Sequence, residues 1–420
     1  MAKILALKAR EILDSRGIPT VEATIWLDNR AQTVASIPAG TSTGKYEAVE
    51  LRDNDPNRYG GQGVLKAVEN INTIIAPKLA GLDPTEQQKI DQLLIDLDGS
   101  QNKSKLGANA ILCVSQAVCE VAAVALNLNT FDYLIAKYQL IKNPQRLPAP
   151  TFNVINGGRH GSGNLDFQEF HVVPAVSLPY HGALECGEEI YQLLGKTLEH
   201  RGAIHSVGAE GGYAPNLFTN KDALEVIVET INQSKYKLHR DVFLGLDVAA
   251  NNFMQGNNYV LKDSAQAFNA RTLTDFYKQL VAEYRLLTLE DPLFEDDWDN
   301  WSVLTHELNS VTIVGDDLLA TNKTRLAKAI QMKAANAILV KPNQIGTVSE
   351  TVEVITMAKQ ANWKVIVSHR SGETNDDFIA DFAVGMGADY TKFGAPARGE
   401  RVVKYNRLLA IETILSSRQQ

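Results

Sequence analysis

Between Val242 and Gly372 five short apolar runs each end in chemistry. They are VFLGLD ending at Asp247, LLTLED at Glu290–Asp291, VTIVGDD at Asp316–Asp317, AILVK at Lys341 and KVIVSHRS at His369–Arg370–Ser371. Most are separated by segments whose apolar residues have helical spacing, such as Leu273, Phe276, Leu280 and Tyr284. Continuous apolar runs alternating with amphipathic helices read as β/α units with buried parallel strands. When strand after strand ends in a reactive side chain, the expected fold is a β/α barrel with its site at the strand C-termini. The first three runs supply carboxylates and the next two supply cations. That layout suits divalent metal beside an anionic substrate.

The chain has 420 residues, enough for a barrel of roughly 250 residues plus a smaller domain. Its formal charge is −8 and no basic stripe with interleaved aromatics appears, which argues against nucleic-acid binding as the main function. No uninterrupted apolar run is long enough to span a bilayer. The start, MAKILALKAREIL, is broken by Lys3, Lys8 and Arg10 and reads as neither a secretory signal nor a transit peptide. Cys113, Cys119 and Cys186 show no metal-ligand or CxxC spacing, so buried free thiols and a reducing cytoplasm are expected.

Upstream, TVEATIWL (20–27) alternates as a half-buried strand, and helices are expected over 62–82, 85–97 and 106–127. The last is apolar nearly all round and should be buried. PAGTSTGKYEA (38–48) is either an ordinary turn or a mobile lid that brings a hydroxyl to a metal or phosphate. LIKNPQRLPAP (140–150) holds three prolines and lacks period, so the boundary is placed there: residues 1–138 as an α+β domain, residues 139–420 as the barrel. His160 and Glu210 sit in Gly-rich turns, and Gln168-Glu169 between Phe167 and Phe170. Each has an ordinary reading as a solvated loop or strand residue. The functional reading of Glu210 is a carboxyl whose proton affinity burial has tuned.

Asp247, Glu290 and Asp316 are three hard oxygen donors from successive strand ends, a cage suited to magnesium. Asp291 and Asp317 read as supports, and Glu295-Asp296-Asp297 as a solvated loop or helix start. Lys341 follows AILV directly. Burial and nearby metal charge would lower its pKa and make it a base; the alternative is an ammonium that snorkels to water. Lys392, after Asp389-Tyr390-Thr391, would repel it and depress one of the two further. Arg370 and the Ser371 backbone could grip a phosphate or carboxylate.

The chain resembles the enolase family over essentially its whole length. The likeness lies in AREILDSRG (9–17), STGKYEAVELRD (42–53), LGANAIL (106–112), NVINGGRH (153–160), QEF (168–170), EGGYAPN (210–216), GLDVAA (245–250), EDPLFEDDW (290–298), VGDDLLATN (314–322), KPNQIGT (341–347), SHRSGET (368–374) and KFGAPARGER (392–401). The resemblance implies an enolase-type β/α barrel with a smaller N-terminal α+β capping domain. It implies reversible dehydration of 2-phosphoglycerate to phosphoenolpyruvate with two Mg2+, the second binding with substrate. Asp247, Glu290 and Asp316 match the first magnesium's ligands and Ser42 the lid serine on the second. Lys341 matches the base and Glu210 the acid. His160, Gln168, Glu169, Glu290, Asp316, His369, Arg370, Ser371 and Lys392 match the substrate shell. A homodimer or dimer-based octamer is implied, in the cytoplasm or with an added cell-surface or secreted pool. Ala209 stands where the family usually has Asp, Ile18 where it has Asn, and Ala39 and Thr41 alter the lid. Two other functions stay open: a superfamily enzyme acting on a different carboxylate, and a catalytically altered homologue used as a binding or scaffold protein.

Overall fold

The computed structural model describes residues 2–40, 44–142, 144, 146–161 and 163–418. The N-terminal part opens with an antiparallel sheet of β1 (Ile4–Leu13), β2 (Pro19–Leu27) and β3 (Gln32–Ser36) in that order. Along β2 Val21, Ala23, Ile25 and Leu27 are buried, while Glu22, Thr24 and Trp26 are half-exposed, the period-2 pattern of a sheet with one covered face. The cover is the helix Ala108–Ala125, buried nearly all round. By length and composition this helix could cross a membrane, but 83% of it is inside the fold, so it serves here as a core helix. The helix expected over 62–82 runs from Leu65 to Leu79 with a widened turn over Asn70–Ile75. In that turn Asn72 bonds both backbone groups of Ala9, replacing a ladder partner that the edge strand β1 lacks.

Eight strands close the barrel: β4 (Ala149–Asn156), β5 (Glu169–Pro174), β6 (Val242–Asp247), β7 (Thr288–Glu290), β8 (Thr312–Gly315), β9 (Ala337–Val340), β10 (Lys364–Ser368) and β11 (Tyr390–Lys392). They are hydrogen-bonded in sequence order, and β11 returns to β4. The expectation of uniformly parallel strands fails at one place. β5 runs antiparallel to both β4 and β6. Only twelve residues separate β4 from β5, short for a helical crossover, and the chain turns back on itself.

The barrel also explains why strands end in chemistry. Ala149, Val173, Val314, Ala337, Leu339, Ile366 and Tyr390 form a small separate apolar cluster. Two residues further along the same face come Thr151, Asp316, Lys341, Ser368 and Lys392. These strands therefore plug the barrel with one side chain and offer the next on the same face to the mouth. Because β5 is reversed, its mouth residues come first: Glu169 and His171 precede Val173. The N-terminal part grips the loops that carry these residues. Ala39 and Gly372 exchange backbone hydrogen bonds of 2.8 and 3.0 Å, Ser15 N donates to Glu373 O at 2.7 Å, and Ala48 N donates to Gln344 O at 2.8 Å.

Candidate active site

A cavity of about 210 Å³ lies at the barrel mouth, lined among others by Glu47, His160, Glu210, Asp316, Lys341 and Lys392. Its floor is made by the ends of β6 to β9 and β11. Register places Asp247 beside Glu290 on neighbouring strands. Between their carboxylates sits the Lys392 ammonium, 2.9 Å from Asp247 Oδ2, 2.9 Å from Glu290 Oε1 and 3.3 Å from Glu169 Oε2. Burial alone would lower the Lys392 pKa; Asp247, Glu169 and Glu290 overcome that and hold it well above its ordinary value. Lys341 Nζ lies 2.5 Å from Asp316 Oδ2, and Gln344 donates to the other oxygen of Asp316 at 3.1 Å.

The charges around the two lysines set their proton affinity. Burial does work to lower the Lys341 pKa, with the Arg370 and Lys392 charges, but the contact with Asp316 wins and the net shift is upward. Mutual repulsion of the two lysines depresses neither, because each has its own carboxylate. Lys392 stands against Asp247 and Glu290, and Lys341 against Asp316. The tight acidic group at this end is Asp291, Asp316 and Asp317. Asp291 supports it: its carboxylate accepts from the backbone N–H of Asp316 at 2.9 Å and of Asp317 at 2.7 Å. Those two bonds hold Asp291 in a left-handed conformation, φ 42°, that a non-glycine residue adopts only when its surroundings force it.

The other wall comes from loops. Glu210 is buried and accepts from Ser371 Oγ at 2.9 Å and from Asn153 Nδ2 at 3.2 Å. His160 Nδ1 lies 3.5 Å from Glu210 and 3.3 Å from Glu169, and His369 Nε2 lies 3.4 Å from Glu210. Burial would raise the Glu210 pKa, but His160 and then His369 pull it below the carboxylate range. Burial would lower the His160 pKa, but Glu210 and Glu169 raise it. A proton shared in this group is therefore favoured on His160. Gln168 donates to Asp247 at 3.3 Å and receives from Asn252 at 3.1 Å. Arg370 forks onto Glu47, with a short arm of 2.8 Å, and donates to Asn343 at 2.9 Å. Ser42 lies outside the described residues.

Several members were not read from the sequence. Glu47, buried against Arg370, looked like one more loop residue. His171 donates or accepts at Glu169 across 2.8 Å and was hidden in an apolar strand. Asp296 was read as solvated, yet it receives Tyr46 Oη at 2.8 Å and Arg325 at 3.2 Å, while the Arg325 guanidinium stacks 3.6 Å over the Tyr46 ring. That cluster ties the stretch after the Gly-rich loop to the barrel. No local pattern marks residues that meet across 250 positions.

A family model described as the enolase N-terminal domain matches residues 4–134, and one described as the enolase C-terminal TIM barrel domain matches residues 144–420. The chain belongs to the enolase family. Acidic clusters at the mouth can hold a cation, as is typical of enolases. The donor set fits one. Asp247, Glu290 and Asp316 are buried oxygen donors, and burial with Asp247 beside it pushes the Glu290 pKa well above the usual range.

Proposed function

We propose that this enolase-family enzyme is a phosphopyruvate hydratase that interconverts 2-phospho-D-glycerate and phosphoenolpyruvate with Mg2+. The observation that carries the reading is that Lys341 and Glu210, a base candidate and an acid candidate from distant parts of the chain, line one cavity together with Lys392, Arg370 and Ser371. Removing the C2 proton next to a carboxylate puts a second negative charge on that carboxylate, and the C3 hydroxide is a poor leaving group. The reaction therefore needs cations at one end and an acid at the other.

Lys341 takes the C2 proton. The electron pair of the broken C–H bond passes into the carboxylate, where Lys392 faces it. The pair then returns to form the C2=C3 double bond as the C3–O bond breaks. Glu210, exchanging its proton with His160 and Glu169, supplies the proton that makes the departing hydroxide water. Arg370 offers a planar fork to the phosphate, the same fork that now holds Glu47. Asp247, Glu290 and Asp316 would hold Mg2+. When bound, that charge stabilises the carboxylate dianion and offsets the Asp316 charge that keeps the proton on Lys341.

The test is purified protein with 2-phosphoglycerate and Mg2+, followed by the ultraviolet absorbance of the enol phosphate. A rise that a chelator stops and Mg2+ restores is expected. Folded protein giving no rise at any Mg2+ concentration rejects the reading.

A further inference from the structure

Arg401 has no part in the chemistry above, yet it is completely buried at the start of the helix Gly399–Ser417. Its Nη1 donates to His369 Nδ1 at 2.6 Å and to the Arg370 carbonyl at 2.6 Å. Its Nη2 donates to the Ser371 carbonyl at 2.6 Å and to the Ala209 carbonyl at 3.3 Å. One guanidinium thus joins the loop before Glu210 to the His369–Ser371 loop. The contact to residue 209 is made to its backbone, so alanine there leaves it intact.

A guanidinium carries only donors. His369 Nδ1, which faces it, must therefore present a lone pair. The ring proton is then on Nε2, the nitrogen that lies 3.4 Å from Glu210 Oε2. An imidazolium would place two N–H groups against each other at 2.6 Å. We propose that Arg401 is a positioning residue that locks His369 as the neutral Nε2–H tautomer, a fixed donor to Glu210. The packing is built for it. Gly394, at φ +87°, lies between them, and a Cβ there would fall 2.9 Å from His369 Cε1 and 3.2 Å from Arg401 Cδ.

The charged groups facing His369 are Glu210 on the acid loop, Glu169 on β5 and Arg401 on the last helix. Burial and Arg401 keep the imidazole neutral against the two carboxylates. The consequence is a division of labour between the two histidines that touch Glu210. His160 can gain and lose a proton there; His369 cannot. The tautomer follows from the hydrogen bonds alone, whereas its catalytic consequence rests on the proposed hydratase reading.

Long-range 1H–15N spectra of the histidine rings in the full wild-type chain with Mg2+, from pH 5 to 8, test this, with His369 assigned by its loss in His369→Gln. The expected result is an acceptor-type Nδ1, a protonated Nε2 and no titration. An Nδ1–H tautomer or an imidazolium at pH 7 overturns the proposal, and this measurement needs no Arg401 variant to fold. In Arg401→Met His369 should begin to titrate, and kcat should fall about 10-fold or more with KM much less changed. Arg401→Lys, which keeps one donor, should restore the tautomer and most of kcat. An unchanged His369 spectrum in Arg401→Met removes Arg401 from the role. A locked tautomer in a protein that never turns over 2-phosphoglycerate rejects the hydratase reading and leaves the tautomer standing.

Discussion

The two walls of the cavity are built by different means. The floor that holds Lys341 and Lys392 is made of strand ends, and its order comes from charge: Lys341 is fixed by Asp316 on the strand beside it, and Lys392 by Asp247 and Glu290 from strands across the barrel. The wall that holds Glu210 is made of loops, and its order comes from hydrogen bonds among carboxylates, imidazoles, a serine and an asparagine. A strand end is rigid, so a charge placed there stays where the barrel puts it. A loop needs outside help. The loop after Ser371 hangs from the N-terminal part through Ala39, Ser15 and Ser36, and Arg401 ties it to the loop before Glu210. The base side is thus a property of the barrel, and the acid side a property of how the rest of the molecule is pinned to it.

Substitutions that silence one wall at a time break this comparison most directly. Lys341→Ala should lower turnover at least about 10³-fold, since a positioned base contributes roughly 10²–10⁴-fold and the same lysine organises Asp316. It should abolish exchange of the C2 proton with deuterated solvent as well. Near-normal turnover in a folded variant would remove Lys341 from the base role. Glu210→Gln should lower dehydration about 10²-fold while C2 exchange persists, because the floor is still complete. Exchange that disappears together with dehydration would show that the two walls act as one unit.

The two walls also differed in how far sequence alone revealed them. Five apolar runs ending in charge announced the barrel and located Asp247, Glu290, Asp316 and Lys341, because the period of a strand fixes which residue follows the plug. The reversal of β5 left no such mark, since an apolar strand reads the same in both directions. His160, Glu169 and Glu210 had bland readings until the family likeness named them. Nor did spacing along the chain show that Asp316 stands beside Lys341 and raises its pKa. Glu47, Asp296 and Arg401 matter through partners far away in the chain, which composition and spacing do not encode, whereas His171 meets Glu169 only two residues away, on the same face of an apolar strand.

Asp291 sharpens the comparison within the floor. Asp291→Asn removes one of the two acceptors that hold the Asp316 and Asp317 backbone and relaxes a strained turn. The expected outcome is Mg2+ activation weakened about 10-fold or more, with kcat at saturating Mg2+ much less affected. A Mg2+ dependence equal to wild type would show that strand geometry alone sets the donors.

The smallest effect belongs to the suspension of the acid wall. Asp376 accepts from Ser36 N at 2.9 Å and from Gln116 Nε2 at 2.9 Å, tying β3 and the core helix to the loop that follows Ser371. Burial, with some help from Asp377 and against the hydrogen bonds and Lys404, pushes its pKa up to about 6. A carboxyl whose folded pKa is raised binds its proton more tightly when folded. Its contribution to stability is therefore full below the unfolded pKa near 4 and is lost as pH rises through about 6. At pH 7 the ionised group sits in the seam at a cost that pH 5 largely relieves. Wild type should gain about 1 kcal/mol over Asp376→Asn between pH 7 and pH 5, read as the change in their difference in urea unfolding. A difference independent of pH would mean that Asp376 is ionised at both, and that hydrogen bonds from Ser36 and Gln116 outweigh its burial.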